Sequence, residues 1–164
     1  MNTYDFAYRI VDLLNKRKLS ITTVESCTGG RIAAAITQIP GASNVFPGGM
    51  VTYQTWTKQH VLGINEDLLK SYDVVSEPVV AQMVKCGCRK MKANFAVATT
   101  GYAGPASPDN GIPVGTIWIG FGNDDKIITK CLHLGNDREY NLQQTVINAL
   151  DMILEFFNSD NKLL

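Results

Sequence analysis

The run Ile21-Thr22-Thr23-Val24 has the make-up of a short strand. It gives way to the polar cluster Glu25-Ser26-Cys27-Thr28, then to Gly29-Gly30, then to an apolar, alanine-rich segment from Ile32 to Ile36. That order reads as strand, tight loop and helix N-terminus. A strand that turns directly into a helix belongs to a sheet covered by helices, so this one segment already points to an α/β chain. The loop gathers two hydroxyls (Ser26, Thr28) and a thiol (Cys27) where the first turn of a helix leaves N–H groups without partners. Such a place can bind an anion or hold an oxyanion. Ser26 is therefore a candidate nucleophile, and its base must come from elsewhere.

The remaining chain extends the same pattern. Phe6, Ile10, Leu13 and Leu14 recur at helical spacing over residues 3–17, with Asn2 or Thr3 as cap and Lys16–Lys18 at the end. Gly30–Thr37 opens a second helix, stopped by Pro40-Gly41. Residues 45–52 read as a strand interrupted by Pro47, Gly48 and Gly49, which suits a bend or a sheet edge. Short helices follow at Trp56–Leu62 and Glu66–Tyr72. Ser76, with Pro78 in the first turn, predicts a helix running to about Met91. Phe95–Thr99 is an apolar strand, and Gly101–Pro113 a loop punctuated by glycine and proline. Val114–Phe121 and Lys126–Leu134, joined by Gly122-Asn123-Asp124-Asp125, predict an antiparallel hairpin. A last helix spans about Asp137–Phe157, with a frayed tail over residues 158–164. Early alternation and a late hairpin predict a three-layer α/β/α domain with a mixed sheet.

A length of 164 residues suits one domain, here residues 1–164 with a core of about 5–157. Fifteen basic and fifteen acidic residues cancel. The chain as a whole is therefore not drawn to nucleic acid or to an anionic membrane. Arg89, Lys90 and Lys92 cluster, as cations at a helix C-terminus do. No apolar run reaches the ~20 residues that span a bilayer, and the N-terminus lacks the charged and apolar regions of a secretory signal; a cytoplasmic location is expected. The four cysteines (27, 86, 88 and 131) lack C-x-x-C spacing, and His60 and His133 lie outside any ligand-spaced motif. No metal and no cofactor are expected, and the thiols are expected to be reduced.

Glycine-rich loops recur at Glu25–Gly30, Phe46–Gly49 and Thr100–Gly104. Ligands in open α/β sheets gather at the carboxyl ends of strands, so two of these loops are expected to share a cleft. Neither a dinucleotide fingerprint nor a P-loop motif is present. A Ser-His-Asp triad would need His60 or His133. His133 alternates within a predicted strand, and His60 faces away from Lys58 on a helix. A lysine in a dry site can take a serine's proton instead. Lys58, shortly after the strand end Val51-Thr52-Tyr53, is the candidate, with Tyr53 placed to relay a proton or orient it.

Five segments in order carry a family resemblance. They are Glu25-Ser26-Cys27-Thr28-Gly29-Gly30; Gly49-Met50-Val51-Thr52-Tyr53 with Lys58; Val75-Ser76-Glu77-Pro78-Val79; Thr100-Gly101-Tyr102-Ala103-Gly104-Pro105; and Pro113-Val114-Gly115-Thr116. Over residues 5–155 the chain resembles the CinA C-terminal domain family in its stand-alone form. The enzymes of that family are nicotinamide-mononucleotide deamidases. The resemblance implies an amidohydrolase that converts nicotinamide mononucleotide and water to nicotinate mononucleotide and ammonia, in pyridine nucleotide recycling, as a homodimer. It implies Ser26 as nucleophile and Lys58 as base, with Tyr53 and Thr100 assisting proton handling or orientation. Thr28, Gly29 and Gly30, and Gly101, Ala103 and Gly104, would bind the substrate phosphate or the oxyanion, and Arg138 would bind phosphate.

The chain departs from the family at two places. Tyr53-Gln54-Thr55 stands where Tyr-Ser-Asn is usual, and Leu142 stands where a second arginine follows the first by four residues. Two rival readings follow. Cys27 at a helix N-terminus is an alternative nucleophile, and a nucleotide-binding sensor or partner module would keep the fold without the reaction. Trp56 suits either substrate stacking or an interface.

Overall fold

Asn2 and Asp5 close the first helix reciprocally. The Asn2 side chain accepts from the Asp5 N–H at 2.9 Å, and the Asp5 carboxylate accepts from the Asn2 N–H at 3.3 Å. The helix, α1 (Thr3–Arg17), ends at Lys18 in the left-handed region with φ 55°. The structure, a computed structural model, describes residues 1–160. After α1 come β1 (Ile21–Glu25), α2 (Arg31–Thr37), β2 (Gly49–Val51), α3 (Thr55–Thr57), α4 (Glu66–Ser71), α5 (Glu77–Met91), β3 (Phe95–Gly101), β4 (Thr116–Gly122), β5 (Ile127–His133) and α6 (Arg138–Asp160). A 3₁₀ turn at Ala42–Asn44 precedes β2, and α3 runs into a π-helical turn at Lys58–Leu62.

The five strands form one sheet in the order β2-β1-β3-β4-β5. β1 pairs parallel with β2 and with β3, while β3–β4 and β4–β5 are antiparallel. This is the expected mixed sheet with its late hairpin. Asn123 closes the hairpin, its side chain accepting from the N–H groups of Asp125 (3.0 Å) and Lys126 (2.9 Å), a local bond typical of turn asparagines.

Strand periodicity sends alternate residues to two cores. Ile21, Val97, Ile117, Ile119 and Phe121 pack with α1, α2 and α6. Val24, Ala96 and Ala98 pack with Val79, Val80, Met83 and Val84 of α5 on the other side. Helices thus cover both faces. α5 comes close because it carries Gly87 where its axis crosses β1: a Cβ there would collide with Val24 Cγ2. Leu142 is 2% exposed within the first core.

Some expectations shift. The strand foreseen over 45–52 shortens to Gly49–Val51, because Pro47 has no N–H to give a ladder. β3 runs on to Gly101, past the predicted end at Thr99, since β4 pairs with it there. Ser76 occupies the N-cap of α5 but makes no side-chain cap bond, and its Oγ is buried without a partner. α6 continues to Asp160, so residues 158–160 are helical rather than frayed. Phe156 and Phe157 hold it against Phe95 and Phe121, with ring centroids 5.1–5.9 Å apart. The rest of the predicted tail lies outside the described residues.

Candidate active site

Because β1, β2 and β3 are parallel, their carboxyl ends meet at one edge of the sheet. Ser26 follows β1, Thr52 and Tyr53 follow β2, and Thr100 and Gly101 close β3. β1 lies between β2 and β3; α2 follows β1 on one face of the sheet, and α5 leads from β2 to β3 across the other, so the crossovers part at β1 as they do where α/β sheets open a crevice. A cavity of about 220 Å³ lies there, walled by Ser26, Cys27, Tyr53, Lys58, Thr100 and Arg138 among others. A larger groove of about 510 Å³ between α1, α2 and α6 has neither serine nor lysine in its wall.

Lys58 begins the π-helical turn and is only 1% exposed. Its Nζ lies 2.8 Å from Ser26 Oγ, 2.6 Å from the Thr52 carbonyl and 3.3 Å from the Tyr53 carbonyl. Burial disfavours the ammonium and draws its pKa down to about 8. Two carbonyls therefore take two amine hydrogens, and the remaining direction points to the serine. A lysine so held donates when charged and accepts from the Ser26 O–H when neutral.

At the anion site expected at Thr28, Gly29 and Gly30, the Thr28 hydroxyl and the Gly29 and Gly30 N–H groups bond within the chain, Gly29 to the Ser26 carbonyl at 3.1 Å. Glu25, fully buried, accepts from Thr28 Oγ1 at 2.7 Å and from the N–H groups of Gly30 (3.1 Å), Ile32 (3.1 Å) and Ala33 (2.8 Å). None of these three loop residues lies in the cavity wall. Sequence reading offered Glu25 as part of a motif and missed what its carboxylate does.

Gly101, Ala103 and Gly104 do line the cavity. Gly104 has φ 96°, and a Cβ on it would stand 2.7 Å from Val114 Cγ1. Among the described residues, the Ala103 and Gly104 N–H groups donate to no protein acceptor. Arg138, at the start of α6, reaches across the mouth and donates to the Gly104 carbonyl (2.7 Å) and to the Tyr53 hydroxyl (3.0 Å). Tyr53 is thus tied to Arg138 through its side chain and to Lys58 through its carbonyl. The Thr100 hydroxyl lines the cavity but donates to the Val74 carbonyl at 2.7 Å, so its proton serves to fix the α4–α5 connection.

Other residues of the rim were not legible from spacing. Asn141, one turn along from Arg138, donates to the carbonyls of Ala103 (2.9 Å) and Gly135 (2.8 Å). Tyr102 and Asn110 both donate to the Asp73 carboxylate, at 3.0 and 2.7 Å. The Asp73 and Ala103 bonds join residues 29 to 38 apart in sequence, so no local pattern reveals them. Cys27 lies in the wall but is 5% exposed, and burial pushes its thiol up to about 12; the reactive thiolate is disfavoured there. His60 binds the Trp56 carbonyl through Nδ1, and His133 sits on β5; neither lies in the cavity wall. Thr55 lines the cavity, and Trp56 is 56% exposed beside it. Among the described residues no cluster of three or more potential metal ligands occurs, and no helix is long and apolar enough to cross a membrane.

Comparison with known proteins shows the family. The model of the CinA C-terminal domain matches residues 3–157. The chain belongs to the CinA C-terminal domain family. Within that family it is 41% identical over 149 residues to the nicotinamide-nucleotide amidohydrolase PncC of Pseudomonas putida, covering 91% of this chain and 93% of that one. It is 39% identical over 152 residues to a CinA-like protein of Amoebophilus asiaticus, covering 93% of this chain and 36% of that protein. The chain therefore spans about a third of the length of that CinA relative and nearly all of PncC. Among solved CinA structures, a superfamily member from Escherichia coli matches with a TM-score of 0.91 at 30% identity, covering 94% of this chain and 90% of that one. A competence/damage-inducible protein from Agrobacterium tumefaciens matches at 0.89 and 34%, covering 93% and 94%.

Proposed function

We propose that this chain hydrolyses the carboxamide of nicotinamide mononucleotide, giving nicotinate mononucleotide and ammonia, with Ser26 as nucleophile and Lys58 as its base. The observation that carries the proposal is the 2.8 Å approach of a fully buried lysine amine to Ser26 Oγ inside the cavity. Likeness to PncC over 91% of the chain supports the choice of substrate. Neutral Lys58 takes the serine proton as Oγ bonds to the amide carbon, then gives that proton to the departing nitrogen. Water, deprotonated by the same amine, then releases the acid and restores the serine. The Ala103 and Gly104 N–H groups suit the oxyanion or the phosphate.

Arg138 offers the phosphate a charged, forked donor at the mouth, whereas the α2 N-terminus is closed to it by Glu25. The substrate therefore lies with its amide at Ser26 and its phosphate towards Arg138 and Gly104. Tyr53 positions Arg138, and Thr100 shapes the wall. The setting we propose is pyridine nucleotide recycling in the cytoplasm, by a homodimer and without cofactor.

The test is ammonia release from nicotinamide mononucleotide by wild type and by Ser26→Ala. Release by wild type alone is expected. Nucleotide binding without release would favour a sensor module instead, a reading consistent with Thr55 and Leu142. Nicotinamide riboside, lacking the phosphate, should be a poor substrate; turnover equal to that of the mononucleotide would remove Arg138 from the binding role.

A further inference from the structure

Glu25 ends β1, one peptide bond before the nucleophile, and the proposed proton transfers make no use of it. A buried carboxylate persists only when its lone pairs are met by donors. Here four donors meet it, and all of them belong to residues 28–33. Oε2 takes the Thr28 hydroxyl and the Gly30 and Ile32 N–H groups, and Oε1 takes the Ala33 N–H. Thr28 Oγ1 is in turn 2.8 Å from Thr99 Oγ1 on β3. The loop between these anchors contains Gly29 and Gly30 at φ 59° and 98°. Two successive glycines have little intrinsic preference for one shape; backbone bonds from Ser26 N–H to the Thr99 carbonyl (3.0 Å) and from Gly29 N–H to the Ser26 carbonyl (3.1 Å) hold part of the loop, and the Glu25 carboxylate ties its far end to α2.

We propose that Glu25 is a positioning residue: its buried carboxylate clamps the Ser26–Gly30 loop onto the first turn of α2 and so holds Ser26 Oγ at its 2.8 Å separation from Lys58 Nζ. This rests on the serine–lysine reading, though not on the identity of the substrate. The clamp needs an acceptor on both carboxylate oxygens. Glutamine keeps the shape but turns one oxygen into a donor, which then faces N–H or O–H groups that are themselves donors. Without that acceptor, the loop and the serine relax together.

The experiment compares wild type, Glu25→Gln and Thr28→Val, with Ser26→Ala as blank. The probe is a small uncharged fluorophosphonate. Serine oxygen bonds to phosphorus, fluoride departs, and the serine proton passes to Lys58; intact mass reports the labelled fraction. Labelling reads the poise of the serine independently of any amide. Where the variant is folded by near-ultraviolet circular dichroism, Glu25→Gln should be labelled about tenfold or more slowly, since small misplacements of reacting groups cost rate steeply. kcat for the nucleotide should fall in parallel, with KM within about twofold, because phosphate binding is remote from the clamp. A folded Glu25→Gln labelled at the wild-type rate would overturn the proposal. If Glu25→Gln does not fold, Thr28→Val decides: it removes one of the four donors and should slow labelling about threefold or more, and an unchanged rate counts against the clamp. Glu25-dependent labelling without ammonia release would leave the clamp standing and remove the substrate assignment. A wild type that the probe never marks at Ser26 would remove the serine–lysine pair and the clamp with it.

Discussion

In the proposed mechanism Lys58 concentrates the chemistry in one side chain, and its behaviour is testable in two ways. Lys58→Ala should leave the sheet intact yet lower kcat by on the order of 10⁴-fold or more, as loss of a nucleophile's base does; steady-state ammonia release checks it. The second test is pH. The amine must be neutral to accept a proton, and burial brings its pKa from 10.5 to about 8. kcat/KM should therefore climb with pH and level off above about 8. The folding linkage has a definite sign. Between pH 8 and 10.5 the unfolded chain holds more protons at this site than the folded chain. Wild type should thus gain stability relative to Lys58→Ala as pH rises through that window, read from denaturation midpoints. A pH-independent difference would mean that the lysine keeps its ordinary affinity for a proton. The sequence makes Ser26 visible through its loop and Lys58 as a candidate base after a strand end, which the family resemblance strengthens; its burial is not visible, because a lysine in a polar segment looks solvated until a fold encloses it.

At the scale of elements, the sheet order does most to create the site. Each of β1, β2 and β3 ends in a polar or glycine-rich segment, and parallel pairing lines those ends up. α5 presses against β1 and β3 through Gly87, whose missing side chain leaves room for Val24. Gly87→Ala gains ~1 kcal/mol of helix propensity, but overpacking against a branched neighbour costs about 1–3 kcal/mol. The net effect should be destabilising, measurable as a lower urea midpoint with unchanged slope. A midpoint equal to or above wild type would show that α5 has slack at this crossing. Helix α1 is legible because its apolar period and its capping residues agree locally, and α2 and α5 are legible from their apolar runs with Gly30 and Pro78 at their starts. The short β2 was not, since its length is set by where Pro47 stops the ladder and where β1 offers partners.

Across the whole molecule, α6 links the two ends of the domain. Its last turns carry Phe156 and Phe157 into a cluster with Phe95 and Phe121, while its first residue, Arg138, reaches Gly104 and Tyr53 at the cavity mouth. Phe157 is 2% exposed. Phe157→Ala should cost about 3–5 kcal/mol, as large truncations in a packed core do; chemical denaturation measures it, and a loss under ~1 kcal/mol would mean the cluster reforms around the gap. Leu142 belongs to the same helix. It is buried in the core, whereas Arg138, four residues earlier, brings a charge to the cavity mouth. By itself the sequence determined the α/β alternation, the glycine loop that carries the proposed nucleophile and the family, because each depends on residues that lie close along the chain or stand in a fixed motif order. Only the tertiary structure decided that Glu25 and not a ligand fills the α2 N-terminus, that Thr100 gives its proton to Val74, and that Asn141 and Asp73 brace the rim. Those assignments depend on which donors and acceptors burial brings within about 3 Å of one another, and no spacing along the chain encodes that distance.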